Sequence, residues 1–148
     1  MKIRLLKPVD IKATAALIGR NYSKKYEYSA ALELKDMFGA SAIKPTYFVA
    51  VEDKKIIGLG GFMQSGMDYY LYEIFWVNVA PERQRQGIGK KIVERIIAEI
   101  KKKKGARAII LTADTLRGDQ KYYKDNFKFK TIAKFDKNSE HIMFLSLE

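Results

Sequence analysis

The sequence contains no cysteine and a single histidine, His141. Without cysteine the chain has no disulfide, no thiolate metal ligand and no cysteine nucleophile. One histidine does not build a metal site alone, and it argues against a histidine-based catalytic triad. Any catalysis therefore has to use Glu, Asp, Tyr, Ser, Lys or the backbone, and we expect no bound metal.

Long apolar runs are also missing. None approaches the roughly 20 residues that a membrane-spanning helix needs. The N-terminal residues read as a strand and lack the layout of a signal peptide. We therefore expect a cytoplasmic protein with no membrane partner, folded as one domain over residues 1–148.

Acidic residues are few, with 17 Asp and Glu against 28 Lys and Arg, and the net charge is +11. Part of the excess is the run Lys101–Lys104 at a predicted helix end, which suits the helix dipole. A solvated face explains this charge better than nucleic-acid binding, so we expect no nucleic-acid partner. The basic surface disfavours polycationic substrates, unless a local acidic pocket of Glu27, Glu33 and Asp36 overrides the overall field.

The spacing of apolar residues predicts both strands and helices. Strands are predicted at Ile3–Leu6, Tyr47–Val51, Ile56–Met63, Tyr69–Val79, Ala106–Thr112, Lys128–Phe135 and His141–Leu147. Helices are predicted after the N-cap Asp10, from Ser29 to the stop at Gly39, from Gly87 to Lys104 with Gly105 as cap, and over Leu116–Asp125. A hairpin turn over residues 136–140 joins the last two strands.

This order of elements defines the fold class as α+β. The strand, helix and strand around Gly87 form a βαβ crossover, whose strands are normally parallel. The remaining strands suit antiparallel pairing, so we expect a mixed, mostly antiparallel twisted sheet with one parallel crossover and helices on both faces. Gly58, Gly60 and Gly61 indicate a bulge or a close backbone approach, and the long strand Tyr69–Val79 also suggests a bulge.

A glycine loop separates that long strand from the amphipathic helix. Pro81 ends the strand, and Gly87 and Gly89 then precede the helix among the basic residues Arg83, Arg85 and Lys90. The free N–H groups and the positive dipole at a helix N-terminus favour an anion such as phosphate.

Two common phosphate loops do not fit this spacing. A Walker A loop needs Ser or Thr after Gly-Lys, where this chain has Lys91. The Rossmann fingerprint needs a third glycine, where this chain has Ile92, and its loop comes earlier in the chain.

The segment Gln84-Arg85-Gln86-Gly87-Ile88-Gly89 resembles the (Arg/Gln)-x-x-Gly-x-(Gly/Ala) loop of the GNAT acyltransferases. The resemblance extends upstream to Glu73-Ile74 and Val77-x-Val79-x-Pro81, and downstream to a tyrosine segment, so it covers nearly the whole chain. It implies the GNAT fold and acetyl-CoA as co-substrate. It also implies that the coenzyme contacts the following residues: Val77, Val79, Gln84, Arg85, Gln86, Gly87, Ile88, Gly89, Lys90 and Thr115.

Within that resemblance, the strand backbone at Val77 and Val79 pairs with the pantetheine arm, and the loop amides bind the pyrophosphate. Gln84 shapes the turn. Thr115 stands where the family often has an asparagine that touches the coenzyme. The parallel strands on either side of the crossover separate, and the thioester enters the gap.

Glu73 is the candidate general base. It is the one carboxylate inside an otherwise apolar and aromatic strand, and Glu-Ile at this spacing resembles catalytic members of the family. The alternative is a carboxylate at the strand end that faces solvent or pairs with a lysine.

The candidate general acid is a tyrosine within the family pattern Tyr-x-x-x-Gly-Phe. Tyr122 takes this position if Asn126 replaces the glycine, because asparagine tolerates the left-handed conformation, and Phe127 then matches. Tyr123 is the alternate acid if Tyr122 and Tyr123 form the aromatic pair that often occurs there.

The resemblance implies transfer of an acetyl group from acetyl-CoA to a primary amine. We expect a small-molecule acceptor, since the tyrosine-rich segment Asn21–Tyr28 could form a bounded entrance. A protein N-terminus or lysine is the alternative acceptor, and a CoA-binding module without turnover is the alternative function. Because there is no cysteine, the transfer is most simply direct. Homodimerisation through the terminal strands stays open.

Overall fold

The computed structural model describes residues 1–135, 137 and 139–148. The strands are β1 (Lys2–Leu5), β2 (Thr46–Glu52), β3 (Lys55–Gln64), β4 (Leu71–Val79), β5 (Ala108–Asp114), β6 (Lys130–Phe135) and β7 (Glu140–Ser146). The helices are α1 (Ile11–Asn21), α2 (Lys24–Lys35), α3 (Ile88–Lys101) and α4 (Asp119–Phe127). Among these helices, none has the length and apolar character that crossing a membrane would require.

The strands form one sheet in the order β1-β2-β3-β4-β5-β7-β6. Strands β4 and β5, which α3 connects, pair in parallel, and the other neighbouring strands pair antiparallel. This topology confirms the predicted α+β fold with one parallel crossover.

Both faces of the sheet are covered, because side chains alternate along each strand. Phe48 and Ala50 of β2 belong to a core beneath α3, together with Ile92, Ile96 and Ile100. Tyr47 and Val49 point the other way, into a second core with Leu17, Ile18 and Leu34 of α1 and α2. The predicted helices on both faces are therefore confirmed.

The glycines of β3 allow close packing on both sides. A Cβ on Gly60 would lie 2.7 Å from Ile92 and 2.9 Å from Ile96, so a larger residue would push α3 away. A Cβ on Gly61 would lie 2.6 Å from the Tyr47 ring and 2.8 Å from the Phe75 ring. The predicted close backbone approach is confirmed.

A β-bulge interrupts β4 where predicted. Gly61 pairs with Phe75 and Leu59 pairs with Asn78, so β4 has one extra residue, and Trp76 adopts a φ of 53°. The bulge sends two consecutive side chains, Phe75 and Trp76, toward the core beneath α1 and α2.

Strands β4 and β5 separate soon after they begin. They pair only from Leu71 to Glu73 and from Ala108 to Ile110. Beyond Ile110, β5 continues with β7 as far as Asp114, while β4 continues with β3 as far as Val79. A wedge-shaped gap therefore opens in the sheet after Glu73.

Several predicted boundaries were wrong. Helix α2 begins at Lys24 rather than Ser29, because Tyr26 packs near Trp76 and extends the stripe of Ala30 and Leu34 by one turn. Gly39 follows a 3-10 turn at residues 36–38 with a φ of −85°, so it is not a left-handed helix stop. The first strand confirms the prediction within one residue.

Two helix ends also differ from the prediction. The Asp10 carboxylate does not cap α1; it accepts bonds from Arg4 at 2.7 and 3.1 Å and from the Lys7 N–H at 2.8 Å. Helix α3 ends at Lys101, and Gly105 reaches the left-handed region, with a φ of 81°, only after a turn. Helix α4 and strand β5 start later than predicted, at Asp119 and Ala108.

The predicted turn between β6 and β7 includes Asp136 and Asn138, which lie outside the described residues.

Candidate active site

The glycine loop leads directly into α3. Gly87 is the residue before the helix, with a φ of 81°, and Arg85 has a φ of 62°. The first helical bond runs from the Lys91 N–H to the Gly87 carbonyl at 3.2 Å. The N–H groups of the residues between them therefore have no partner within the helix, as the predicted anion site requires.

A cavity of about 770 Å³ lies beside this loop, within the usual size range of ligand pockets. Eight of the ten predicted coenzyme residues line it: Val77, Val79, Gln84, Arg85, Gly87, Ile88, Gly89 and Lys90. Gln86 and Thr115 are not among its lining residues. The Gln86 side chain accepts a bond from Arg83 at 3.0 Å, and the Thr115 hydroxyl donates to the Ser139 carbonyl at 2.8 Å.

Backbone N–H groups of β4 face the gap. The Ala80 N–H donates to the Ile57 carbonyl of β3 at 2.9 Å. Backbone groups alternate along a strand, so the N–H groups of Val77 and Val79 face away from β3, toward the gap. The Val79 carbonyl already accepts bonds from Asn21 at 3.0 Å and from Gln84 at 3.2 Å.

Sequence reasoning missed several residues that line this cavity, among them Asn21, Tyr22 and Arg117. Asn21 ties the end of α1 to β4, because its side chain also donates to Asn78 at 3.0 Å. The Arg117 guanidinium lies 4.4 Å from the Tyr22 ring and joins the α4 side of the cavity to the α1 side. The only sequence signal for the first two was the tyrosine-rich segment, which predicted an acceptor entrance rather than a coenzyme wall.

The cavity is electropositive, but its cations are not equivalent. Arg83 contacts Glu52 at 2.5 Å and is thereby neutralised. Of the other cations of the lining, Arg117 lies 3.7 Å from Asp114 and Lys90 lies 4.0 Å from Glu94, whereas Arg85 has no acidic partner among the described residues. Asp119 also lines the cavity, and burial raises the pKa of its carboxyl group.

Tyr122 projects from α4 into the coenzyme cavity. Its hydroxyl is buried without a hydrogen-bond partner among the described residues, and it would lie 3.6 Å from a Cβ placed on Gly89. Burial, together with the nearby Glu94 and Asp119, raises the pKa of Tyr122 to about 12. The phenol is therefore held protonated beside the loop.

Tyr123 lines the same cavity but belongs to the core. It is 9% exposed, and its ring packs against Phe129 at 5.7 Å and Phe127 at 6.0 Å between centroids. Burial raises the pKa of its hydroxyl as well. Of the two tyrosines, Tyr122 has the geometry of a proton donor at the loop, and Tyr123 has that of a packing residue.

Glu73 lies where the two parallel strands part. It pairs with Met63 of β3 and with Ile110, the last β5 residue that contacts β4. Its neighbours Tyr72 and Ile74 enter the core beneath α3, so the half-buried Glu73 side chain is on the face of α1 and α2. Glu73 is not among the residues that line the cavity beside the loop.

A second cavity, of about 430 Å³, lies on that opposite face. Its lining includes Met63, the cross-strand neighbour of Glu73, and the two bulge residues Phe75 and Trp76. The β4 segment around the bulge therefore has the loop cavity on one side and this second cavity on the other.

Comparison with protein families gives one match, to the acetyltransferase (GNAT) family over residues 12–129. The match covers more than half of the 148 residues, so the chain belongs to the GNAT family of acetyltransferases. The predicted family and the predicted enzyme class, an acyltransferase, are confirmed.

Solved structures with the same fold agree. A protein assigned to the GNAT acetyltransferases from Desulfovibrio desulfuricans shares 17% identity at a TM-score of 0.86, with 99% of each chain covered. An aminoglycoside 6′-N-acetyltransferase complexed with coenzyme A shares 18% identity at 0.78, with 100% of this chain and 98% of that chain covered. A GNAT acetyltransferase from Brucella melitensis in complex with acetyl-CoA shares 23% identity at 0.73, covering 99% and 88%.

The ligands of the last two structures agree with the co-substrate predicted from the loop. A search of curated proteins found no significant match. Among the described residues, no group of three or more His, Asp or Glu side chains is placed to hold a metal ion.

Proposed function

We propose that this protein transfers an acetyl group from acetyl-CoA directly to the primary amine of a small molecule. The observation that carries the proposal is the buried, unpartnered hydroxyl of Tyr122 beside the glycine loop, in a cavity that opens into the gap between β4 and β5. A buried hydroxyl without a partner costs stability, and a bound substrate atom would satisfy it.

The loop and β4 hold acetyl-CoA in this proposal. The free N–H groups at the start of α3 bind the pyrophosphate, with Arg85 and Lys90 adding positive charge. The gap-facing N–H groups of Val77 and Val79 pair with the pantetheine amides, as an added strand would. The bond from Gln84 to the Val79 carbonyl fixes the turn that presents these donors.

The acceptor amine approaches from the face of α1 and α2. An ammonium has to lose a proton before its nitrogen can attack, and Glu73 is a carboxylate on that face at the position where β4 and β5 part. Glu73 accepts this proton, directly or through a water molecule. Its place at the last paired position of β4 and β5 aims it at the point where the two substrates meet.

Tyr122 supplies the proton that the leaving thiolate takes up. The new C–N bond forms as the C–S bond breaks, and one ammonium and one thioester become one amide, one thiol and one proton. Its raised pKa keeps the phenol protonated at neutral pH, and the second proton released by the attacking nitrogen restores the phenol after it has protonated the thiolate.

The proposal is tested by following thiol release from acetyl-CoA with a panel of small primary amines and peptides, and by identifying the product by mass spectrometry. We expect release that depends on a small amine, and an N-acetylated product. Release with peptides alone would favour a protein acceptor. Calorimetric CoA binding without release for any acceptor would favour a binding module.

Direct transfer has its own test. Because the chain has no cysteine, incubation with acetyl-CoA in the absence of an acceptor should leave the protein mass unchanged, and initial-rate kinetics should indicate a ternary complex. A trapped acetyl-enzyme or ping-pong kinetics would contradict the direct route.

A further inference from the structure

The second cavity is acidic within a strongly basic protein. Glu33 and Asp36, at the end of α2 and in the turn after it, are the charged residues of its lining. The other walls are largely apolar or aromatic, and they include Tyr47, Met63, Phe75 and Trp76.

The two carboxylates are not neutralised. Among the described residues, neither Glu33 nor Asp36 has a cationic partner within 4.0 Å, whereas most other acidic groups along the helices do. Glu33 accepts a hydrogen bond from the Trp76 indole, which places it beside the β4 bulge. The third acid of this helix, Glu27, lies elsewhere and pairs with Lys24 at 3.2 Å.

Tyr47 adds a hydroxyl without a protein partner to the lining of this cavity. Its side chain lines the cavity and is 1% exposed, yet its hydroxyl has no hydrogen-bond partner among the described residues. Burial raises the pKa of this phenol, and the negative charges of Glu33 and Asp36 raise it further. The structure therefore holds a protonated hydroxyl and two carboxylates around one apolar cavity.

We propose that this cavity binds a small diamine, an acceptor with one primary amine for acetylation and a second ammonium at the other end of a short hydrocarbon chain. The inference rests on the proposed acetyl transfer and narrows its substrate class. Glu33 and Asp36 bind the second ammonium with charge-assisted hydrogen bonds, and the Tyr47 hydroxyl accepts another. The aromatic walls cover the hydrocarbon chain, while the reacting amine lies at the bulge near Glu73.

The overall charge of +11 does not prevent this binding. Surface charges are screened over about 8 Å at physiological ionic strength, so two unpaired carboxylates at contact distance dominate inside a cavity. A monoamine would leave these carboxylates unpaired, and an amino acid would place its own carboxylate against them. Both should bind less well than a diamine.

Binding can be measured without turnover, because Trp76 is the only tryptophan in the sequence and lines the cavity. The CoA-saturated protein is titrated with 1,4-diaminobutane, n-butylamine and 4-aminobutanoate while tryptophan fluorescence is recorded. We expect saturable binding of the diamine at least about tenfold tighter than of the monoamine, and weakest binding of the amino acid. Equal binding of all three, or no diamine binding, would overturn the inference.

Variants then assign the effect to the two carboxylates. Glu33→Gln and Asp36→Asn should each weaken diamine binding and raise its KM by about tenfold, with little change for n-butylamine. Glu27→Gln is the matched control on the same helix and should leave both amines unchanged. Equal losses for the diamine and the monoamine would show a structural effect only, which contradicts the proposed recognition.

The same assays separate this inference from the proposed function. Thiol release with monoamines or amino acids at rates equal to the diamine would leave acetyl transfer standing and remove diamine selectivity. Selective diamine binding without thiol release from acetyl-CoA would support the second cavity as a diamine site and would contradict the proposed acetyl transfer.

Discussion

The protonation state of Tyr122 is set by its surroundings rather than by its residue type. The hydroxyl is buried beside Gly89 and near the carboxylates Glu94 and Asp119, so its charged form is disfavoured. The sequence pattern selected this tyrosine as first choice over Tyr123. The environment that suits it to donate a proton depends on side chains from α3 and α4 that are far apart in the chain.

This environment predicts the pH dependence of catalysis. With a pKa raised to about 12, Tyr122 stays protonated across the usual assay range, and its contribution is lost only as the pH rises through that value. We expect kcat/KM for an amine to rise with pH as the amine loses its proton, with no decline up to pH ~10. A decline with an apparent pKa of 9–10 that disappears in Tyr122→Phe would contradict this environment.

The predictable part of the site is the part that depends on local spacing. The loop glycines, Glu73 and the tyrosine pair follow one another in patterns that are visible in the sequence. Asn21 and Arg117 were not predicted, because their contacts with β4 and Tyr22 join segments on opposite sides of the cavity. Thr115 followed from the family pattern, but its hydroxyl bond to Ser139 depends on a turn that local spacing does not specify.

At the scale of elements, β3 is a thin layer between α3 and the second cavity. Its glycines let Ile92 and Ile96 approach on one side and let the rings of Tyr47 and Phe75 approach on the other. This close packing holds β4 against β3, while the opposite edge of β4 separates from β5. The bulge at Trp76 then directs two aromatic side chains into the acceptor face.

Gly61→Ala tests this packing. The new methyl group would meet two rigid rings at 2.6 and 2.8 Å, so we expect the free energy of unfolding to fall by about 1–3 kcal/mol. Gly66→Ala is the control, because a Cβ there meets nothing within 4 Å. Denaturant unfolding measures both variants, and equal stability of the two would contradict the proposed role of Gly61.

Element types were easier to predict than element ends. At Gly87 the spacing of apolar residues changes from that of a strand to that of a helix. This change predicted α3 and the parallel crossover, because the buried apolar stripe of α3 repeats over several turns. The start of α2 was misplaced because its apolar stripe is weak, and a tertiary contact with Trp76 stabilises its first turns. The end of α3 was misplaced because four consecutive lysines provide no apolar spacing to follow.

At the scale of the whole molecule, charge is separated between the two faces of the sheet. The cavity beside the loop is lined by Arg85, Lys90 and Arg117, and the second cavity by Glu33 and Asp36. In the proposed reaction the first charge suits an anionic coenzyme and the second a cationic acceptor. The net charge predicted neither cavity, because it averages over both.

The basic surface should attract CoA through its overall field. We expect the Kd for CoA, measured by calorimetry, to rise about tenfold between 0.05 and 0.5 M NaCl. Arg85→Gln should weaken binding and reduce this salt dependence, whereas Lys104→Gln, in the exposed turn after α3, should change it little. A Kd that is independent of salt would show that the cations near the loop do not contact the phosphates.

The central claim is that Tyr122 donates the proton during acetyl transfer. It is tested by comparing thiol-release rates of the wild type, Tyr122→Phe and Tyr123→Phe at saturating acetyl-CoA. Each substitution removes one hydroxyl and keeps the ring contacts of the pair with Phe127.

We expect Tyr122→Phe to lower kcat about 100-fold and Tyr123→Phe to stay within a few-fold of the wild type. An unchanged rate for Tyr122→Phe together with a collapsed rate for Tyr123→Phe would contradict it.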